Sequence, residues 1–168
     1  PSTLVSLQRV EDDCRGVTTQ DDGSLKIGAL TPLRMLEHSA DVPTVVRKTM
    51  KTLSNVRVRN VATVGGSLAH GDPHMDLPPV MTALGASVTV IGPSGERTVT
   101  LENLYEGYYE TSLAANELIV SVSLPAPDGI RAAYKKVTTR AAEDWPALGV
   151  AAAMTGEGAH ITAAKIVV

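Results

Sequence analysis

One short stretch limits what this chain can fold into more than any other: Asn60-Val61-Ala62-Thr63-Val64-Gly65-Gly66-Ser67-Leu68-Ala69-His70-Gly71-Asp72-Pro73-His74-Met75-Asp76. Two adjacent glycines between Thr63 and Ser67 leave the backbone without side-chain obstruction. Such a turn can form a concave nest of N–H donors for an anion such as a diphosphate. Asp76 closes the stretch, and its carboxylate can accept hydrogen bonds from ligand hydroxyls. A basic approach, Arg57-Val58-Arg59, precedes it, and an apolar run from Leu77 to Ala86 follows.

The flanking pattern is segregated. Thr3 to Leu7 reads as a short strand. Val17 to Gln20 and Ser24 to Leu30 read as a hairpin around Asp21-Asp22-Gly23. Thr31-Pro32 reads as an N-cap followed by proline in the first turn of a short helix carrying Leu33 and Leu36. A second helix starts near Asp41, with Val42, Val46, Met50 and Leu53 at helical spacing, and ends at Ser54-Asn55. Leu77 to Leu84 reads as a buried helix with Asp76 at its N-cap and Gly85 after its end. Ser87 to Ile91 and Arg97 to Leu101 form a second hairpin. Leu101 to Tyr105 is a turn or short helix, and Tyr105, Tyr108 and Tyr109 anchor a loop with their hydroxyls outward. Glu117 to Leu124 is a strand that ends at Pro125-Ala126-Pro127-Asp128-Gly129, the best linker in the chain. Three strands follow, Arg131 to Thr139, Ala147 to Met154 and His160 to Val168. Strands, then helices, then more strands is an α+β order.

Composition matters where it excludes functions. A formal charge of −3 and the lack of any basic run with interleaved aromatics give no reason to expect nucleic acid. Cys14 is the only cysteine, so this chain holds no Cys-ligated iron–sulfur cluster or Cys-rich zinc site of its own. With no internal disulfide to form, an intracellular, cytoplasmic location is the simpler reading. No apolar run is long enough to span a bilayer as a helix. With no Phe at all, the core must be built from Val, Leu, Ile, Ala and Met.

The negative motif search is also informative. No Gly-x-Gly-x-x-Gly follows a strand, no Walker-type loop is present, and no Gly-x-Ser-x-Gly occurs. His70, Asp72, His74 and Asp76 alternate in the pattern of a catalytic metal shell. Gly71 and Pro73 oppose a regular strand there, so the set reads as loop, with no metal residues assigned. A metal-dependent hydrolase using His70, Asp72 and His74 and a non-catalytic α+β interaction domain are the alternatives from other classes.

Arg59 to Pro73, continuing to Asp76, resembles the second flavin-binding segment in the FAD subunit of the molybdenum hydroxylases. That family includes the medium subunit of carbon monoxide dehydrogenase and the FAD domain of xanthine dehydrogenase. The resemblance extends to Leu25–Thr31, to Glu117-Leu118-Ile119-Val120 through Pro125, to Tyr134-Lys135-Lys136-Val137, and to Asp144-Trp145-Pro146-Ala147-Leu148-Gly149-Val150-Ala151. It implies the FAD fold of the vanillyl-alcohol-oxidase-type flavoproteins, in which the cofactor lies between two α+β subdomains. The backbone of Thr63, Val64, Gly65 and Gly66 with the Ser67 hydroxyl would hold the diphosphate. Asp76 would accept from a cofactor hydroxyl, Ile119 would pack on the cofactor, and Lys135 would lie near it. No catalytic residue is assigned, because flavin chemistry needs binding, orientation and electronic tuning from the protein.

The implied partners are an iron–sulfur small subunit and a large subunit carrying the molybdenum cofactor. Electrons would pass from the clusters through FAD to an external acceptor. The family's first FAD segment has no counterpart in this sequence, and Pro1 starts just after where it should lie. The chain therefore reads as a fragment: residues 1–125 as the second FAD subdomain and 130–168 as the opening of the family's C-terminal domain. Such a piece is expected to bind FAD weakly, if at all, by itself.

Overall fold

A computed structural model describes residues 3–141, 144–158 and 160–168; Pro1, on which the expected start of the subdomain falls, lies outside them. Two antiparallel sheets sandwich a layer of short helices. The first has five strands in the order β1-β2-β7-β3-β4, with β1 Val17–Thr19, β2 Leu25–Gly28, β3 Ser87–Gly92, β4 Gly95–Thr100 and β7 Leu118–Leu124. The second has three, in the order β10-β9-β8, with β8 Arg131–Val137, β9 Leu148–Glu157 and β10 His160–Val167. A two-stranded ribbon, β5 Tyr105–Gly107 and β6 Glu110–Thr111, stands apart. The chain is of the α+β class, as the segregated order of elements predicts.

The central strand is β7, paired on one side with β2 and on the other with β3. Its inward positions Val122 and Leu124 are buried with Leu25 and Ile27 of β2 and Val88 and Val90 of β3. This is the period-2 signature of a half-buried sheet. The helices are α1 Leu33–His38, α2 Thr44–Thr52, α3 Val56–Val61, α4 Val64–Ala69 and α5 Leu77–Ala83. Helix α4 packs on β7 and β2, α5 packs on β9 and β10, and α2 packs on α5 and β8. Leu68 of α4 and Leu77 and Met81 of α5 are fully buried between the layers. Each such side chain contributes about 1.5–3 kcal/mol of burial.

Several sequence expectations are corrected. Thr3–Leu7 is not a strand: it has no partner strand, and Leu4 and Val5 are exposed. Thr31 does not cap α1. Pro32 occupies the N-cap, while the Thr31 hydroxyl accepts from the Gly16 N–H and donates to the Gly16 carbonyl. Asn55 does not merely end α2; its side chain accepts from the Arg57 and Val58 N–H groups and starts α3. The basic approach to the glycines is therefore helical. The Tyr105 hydroxyl points inward and donates to the Leu68 carbonyl at 3.2 Å.

Candidate functional site

The paired glycines open a helix. Thr63 is the N-cap of α4, and its hydroxyl accepts from the Gly66 N–H at 3.2 Å. Thr63 also bridges to Pro32, so that the Leu33 N–H reaches the Ala62 carbonyl and the Val64 N–H reaches the Thr31 carbonyl. The Gly65 N–H donates to the Ala29 carbonyl at 2.8 Å. These bonds fix the entry of α4 against the end of β2, and they narrow the expected nest. The Val64 and Gly65 donors serve the fold, not an open concavity.

The two glycines therefore have different reasons to be glycine. A Cβ on Gly65 would lie 2.6 Å from the Ala29 Cβ and 3.1 Å from the Ala29 carbonyl oxygen. Gly65 is needed because α4 and β2 approach too closely for a side chain. A Cβ on Gly66 would meet only its own cap, the Thr63 hydroxyl, at 3.0 Å, and Gly66 is exposed. Packing does not demand glycine at 66. Next to it, the Ser67 hydroxyl is buried and has no hydrogen-bond partner among the described residues. A buried hydroxyl without a partner is costly to a fold and calls for an explanation. Together Thr63, Gly66 and Ser67 present an exposed backbone position and an unmatched polar group at a helix start, where partial positive charge favours anions. The backbone N–H groups of Gly66 and Ser67 are bonded to Thr63, so what fits a diphosphate here is the Thr63 and Ser67 hydroxyl pair.

Ile119 on β7 is partly buried against the core and sits opposite Val90. Its neighbour Val120 accepts from the Ala29 N–H, and the Ala29 carbonyl in turn accepts from Gly65. The structure thus connects Ile119 to the glycine turn through one residue.

Asp76 behaves differently from expectation. It occupies the N-cap position of α5 without making a side-chain cap. Its carboxylate, almost fully buried, accepts from the Tyr134 hydroxyl at 2.6 Å and from the Lys136 ammonium at 2.9 Å. Burial first, then the bond to Asp76, push the Tyr134 hydroxyl far above its usual range. Lys136 also reaches the Thr52 carbonyl at the end of α2. Lys135 lies exposed on the opposite face of β8. Alternate residues of a strand share a face, so Lys136 goes with inward-facing Tyr134, and Lys135 does not. That periodicity was readable in Tyr134-Lys135-Lys136. Lys136 is thus the lysine paired with Asp76, while Lys135, expected near the cofactor, faces outward from β8.

Arg59 is also structural. Its guanidinium is buried, donating to the Leu53 and Ser54 carbonyls and to Glu37 at 3.1 Å. It satisfies the end of α2 and is not free for a phosphate. Burial acts to raise the Glu37 carboxyl, but the hydrogen bonds from Arg34 and Arg59 outweigh it and hold it below its ordinary value.

His70, Asp72 and His74 are spent on one another and on aromatic rings. The buried Asp72 carboxylate accepts from the His74 N–H at 2.8 Å and contacts the His74 ring Nδ1 at 2.9 Å. The His74 ring stacks on Trp145 at 5.8 Å, and the His70 ring meets Tyr109 edge-on at 5.4 Å. Tyr109 adopts a φ of 60°, unusual for a bulky residue, and its N–H bonds the Gly71 carbonyl. Among the described residues no group of three or more His, Cys, Asp or Glu is arranged to hold a metal ion. His70 and His74, read from sequence as an exposed loop, do lie in a loop, with His70 exposed, and their rings lean on surface aromatics around the buried Asp72 carboxylate.

This corner carries a pH signature. Burial acts to raise Asp72, but the His74 N–H and ring outweigh it, and its pKa falls below 3.8. A carboxyl depressed by folding stabilises above its unfolded pKa, and that stability is lost as pH falls through the folded value. The emission of Trp145, the only tryptophan, should therefore change as pH falls through the depressed Asp72 value, below the ordinary aspartate range. Asp72→Asn should show the acid-like emission already at neutral pH. An unchanged spectrum in that variant would remove Asp72 as the anchor of the corner.

The comparisons agree over most of the chain. The family described as the FAD binding domain in molybdopterin dehydrogenase matches residues 1–127. The glyceraldehyde dehydrogenase medium chain of Sulfolobus acidocaldarius is 31% identical over 99% of this chain and 59% of its own length. The carbon monoxide dehydrogenase medium chain of Afipia carboxidovorans is 32% identical over 99% of this chain and 58% of its own. Among solved structures, carbon monoxide dehydrogenase from Hydrogenophaga pseudoflava superposes with a TM-score of 0.87 at 33% identity, over 92% of this chain and 55% of that one. Quinoline 2-oxidoreductase from Pseudomonas putida 86 superposes with a TM-score of 0.85 at 28% identity, over 94% and 55%. The chain thus spans under two thirds of the length of these relatives.

Proposed function

This chain belongs to the family of FAD-binding domains of the molybdopterin dehydrogenases, in the medium-subunit branch, and from that membership we propose that it forms one wall of an FAD cleft in an electron-transfer flavoprotein. The observation that carries the reading is the pair at the start of α4: an exposed Gly66 that packing does not require, beside a buried Ser67 hydroxyl without a partner. Bound FAD would supply an acceptor that takes electrons singly or in pairs. The chain's own contribution is binding and orientation. The Thr63 and Ser67 hydroxyls donate to the diphosphate, beside the exposed and unobstructed Gly66. Val64 and Gly65 set the backbone on which those donors stand. Ile119 packs an aliphatic side chain on the cofactor, and Asp76, oriented by Lys136, accepts from a cofactor hydroxyl.

The partners in this reading are an iron–sulfur small subunit and a molybdenum-cofactor large subunit, in the cytoplasm. FAD is then the link between one-electron clusters and an external acceptor. The change of sheet across Pro125–Gly129, with the family match ending at 127, supports taking 1–125 as the FAD subdomain and 130–168 as part of the C-terminal domain. No helix among the described residues is long and apolar enough to cross a membrane. Nothing in the site favours a metal-dependent hydrolase, since Asp72 is committed to His74.

The test is the absorbance of the full-length protein, purified without added cofactor, and the identity of any chromophore released on denaturation. Flavin bands and FAD in the supernatant are expected. A colourless protein that takes up no added FAD but retains a stoichiometric divalent metal through dialysis would overturn the reading.

A further inference from the structure

Residues 131–168 meet the rest of the chain along a single seam. Among the described residues no strand pairing crosses it: the three-stranded and five-stranded sheets share no ladder. The apolar side of the contact sets Ala132, Tyr134, Ala151, Ala153 and Val167 against the helix layer, where Leu77 and Met81 of α5 are buried. The polar bonds that cross, among the described residues, are Tyr134 and Lys136 to Asp76, Lys136 to the Thr52 carbonyl, and the exposed pair Lys165–Glu102. The stacking of His74 on Trp145 also crosses.

Two clefts flank the contact. One of about 690 Å³ lies between Asp72, Pro78 and Tyr108 on one side and Leu148 and Lys165 on the other. A second of about 290 Å³ lies between Val45 and Leu84 on one side and Pro127 and Ala132 on the other. The seam is therefore packed at its centre and open at both sides. Its covalent hinge is Pro125-Ala126-Pro127-Asp128-Gly129, where two prolines lack N–H donors and Gly129 turns at a φ of +67°.

We infer that the three-stranded sheet is a hinged flap, latched over Asp76 by Tyr134 and Lys136. Gly149 belongs to the latch: a Cβ there would lie 2.6 Å from the Tyr134 hydroxyl. Removing one member of a buried ion pair strands the other charge, whereas removing both is far milder. The latch thus sets both how firmly and in what position the flap docks. Its opening exposes the latch and the larger cleft to water while the five-stranded sheet stays intact, a sub-global opening of the kind hydrogen exchange detects. The inference rests on the seam and not on the cofactor reading.

Amide hydrogen exchange on the whole chain tests it. The amides of β8–β10 should exchange faster than those of β2, β3 and β7. Lys136→Met should speed β8–β10 by at least about tenfold and leave the five-stranded sheet unchanged. Adding Asp76→Asn to that variant should restore much of the protection. Tyr134→Phe, which keeps the ring and removes one bond, should move β8–β10 in the same direction by less, and it carries the test if Lys136→Met does not fold. If the two sheets exchange together in every protein, or if neither single variant changes β8–β10, the flap is overturned.

Discussion

Gly65→Val is expected to destabilise the chain by about 3 kcal/mol, the upper range for forcing methylenes into a packed contact. For a chain of this size that lowers the thermal midpoint by about 6–12 °C. The cause is local. The Gly65 N–H is bonded to the Ala29 carbonyl, and a Cβ would sit 2.6 Å from the Ala29 Cβ. Neither neighbour is the free end of a flexible side chain, so α4 would have to lift from β2. Lifting α4 also breaks the Val64–Thr31 bond and exposes Leu68, which is fully buried. Thermal unfolding by circular dichroism measures it directly. A midpoint within about 2 °C of the unmodified chain would show that α4 can shift without cost and that the close approach is not what selects glycine.

Gly66→Val, one residue on, is expected to do the opposite. The position is exposed, and only the rotatable Thr63 hydroxyl stands near a new Cβ. The fold should survive with a loss of at most about 1 kcal/mol from the weakened cap bond, partly offset because valine is a better helix former than glycine. FAD retention by the full-length protein should fall by about 10–100-fold, the value of one or two hydrogen bonds to a charged group. Equilibrium dialysis against FAD gives the affinity, and circular dichroism on the same sample gives the fold. Full flavin retention would place the diphosphate elsewhere. The pair of variants therefore separates a glycine kept for packing from one kept for a ligand, which the sequence Gly65-Gly66 does not distinguish.

The same contrast runs through the chain. The hairpin around Asp21-Asp22-Gly23, the buried helix after Asp76 and the three late strands were legible because period and turn chemistry are local properties. The helical form of Val56–Val61 was not read, because Asn55 looks equally like the end of one helix and the cap of the next. The ribbon Tyr105–Gly107 with Glu110–Thr111 is too short to show alternation. At the site, Thr63 to Ser67 could be singled out because paired glycines between hydroxyl residues are distinctive. The partners of Asp76 could not, because Tyr134 and Lys136 lie 58 and 60 residues away.

By itself the sequence determined the α+β class and that a single cysteine supports no thiolate cluster, and it singled out the segment proposed for the diphosphate. These follow from composition and from short-range pattern. The tertiary structure alone decided which glycine is spent on packing, that Asp76 is latched by Lys136 and not Lys135, and that His70, Asp72 and His74 form an aromatic corner. Each of those outcomes depends on distance across elements. A backbone N–H or a carboxylate carries the same chemistry wherever it lies in the chain, and only the fold determines which partner reaches it first.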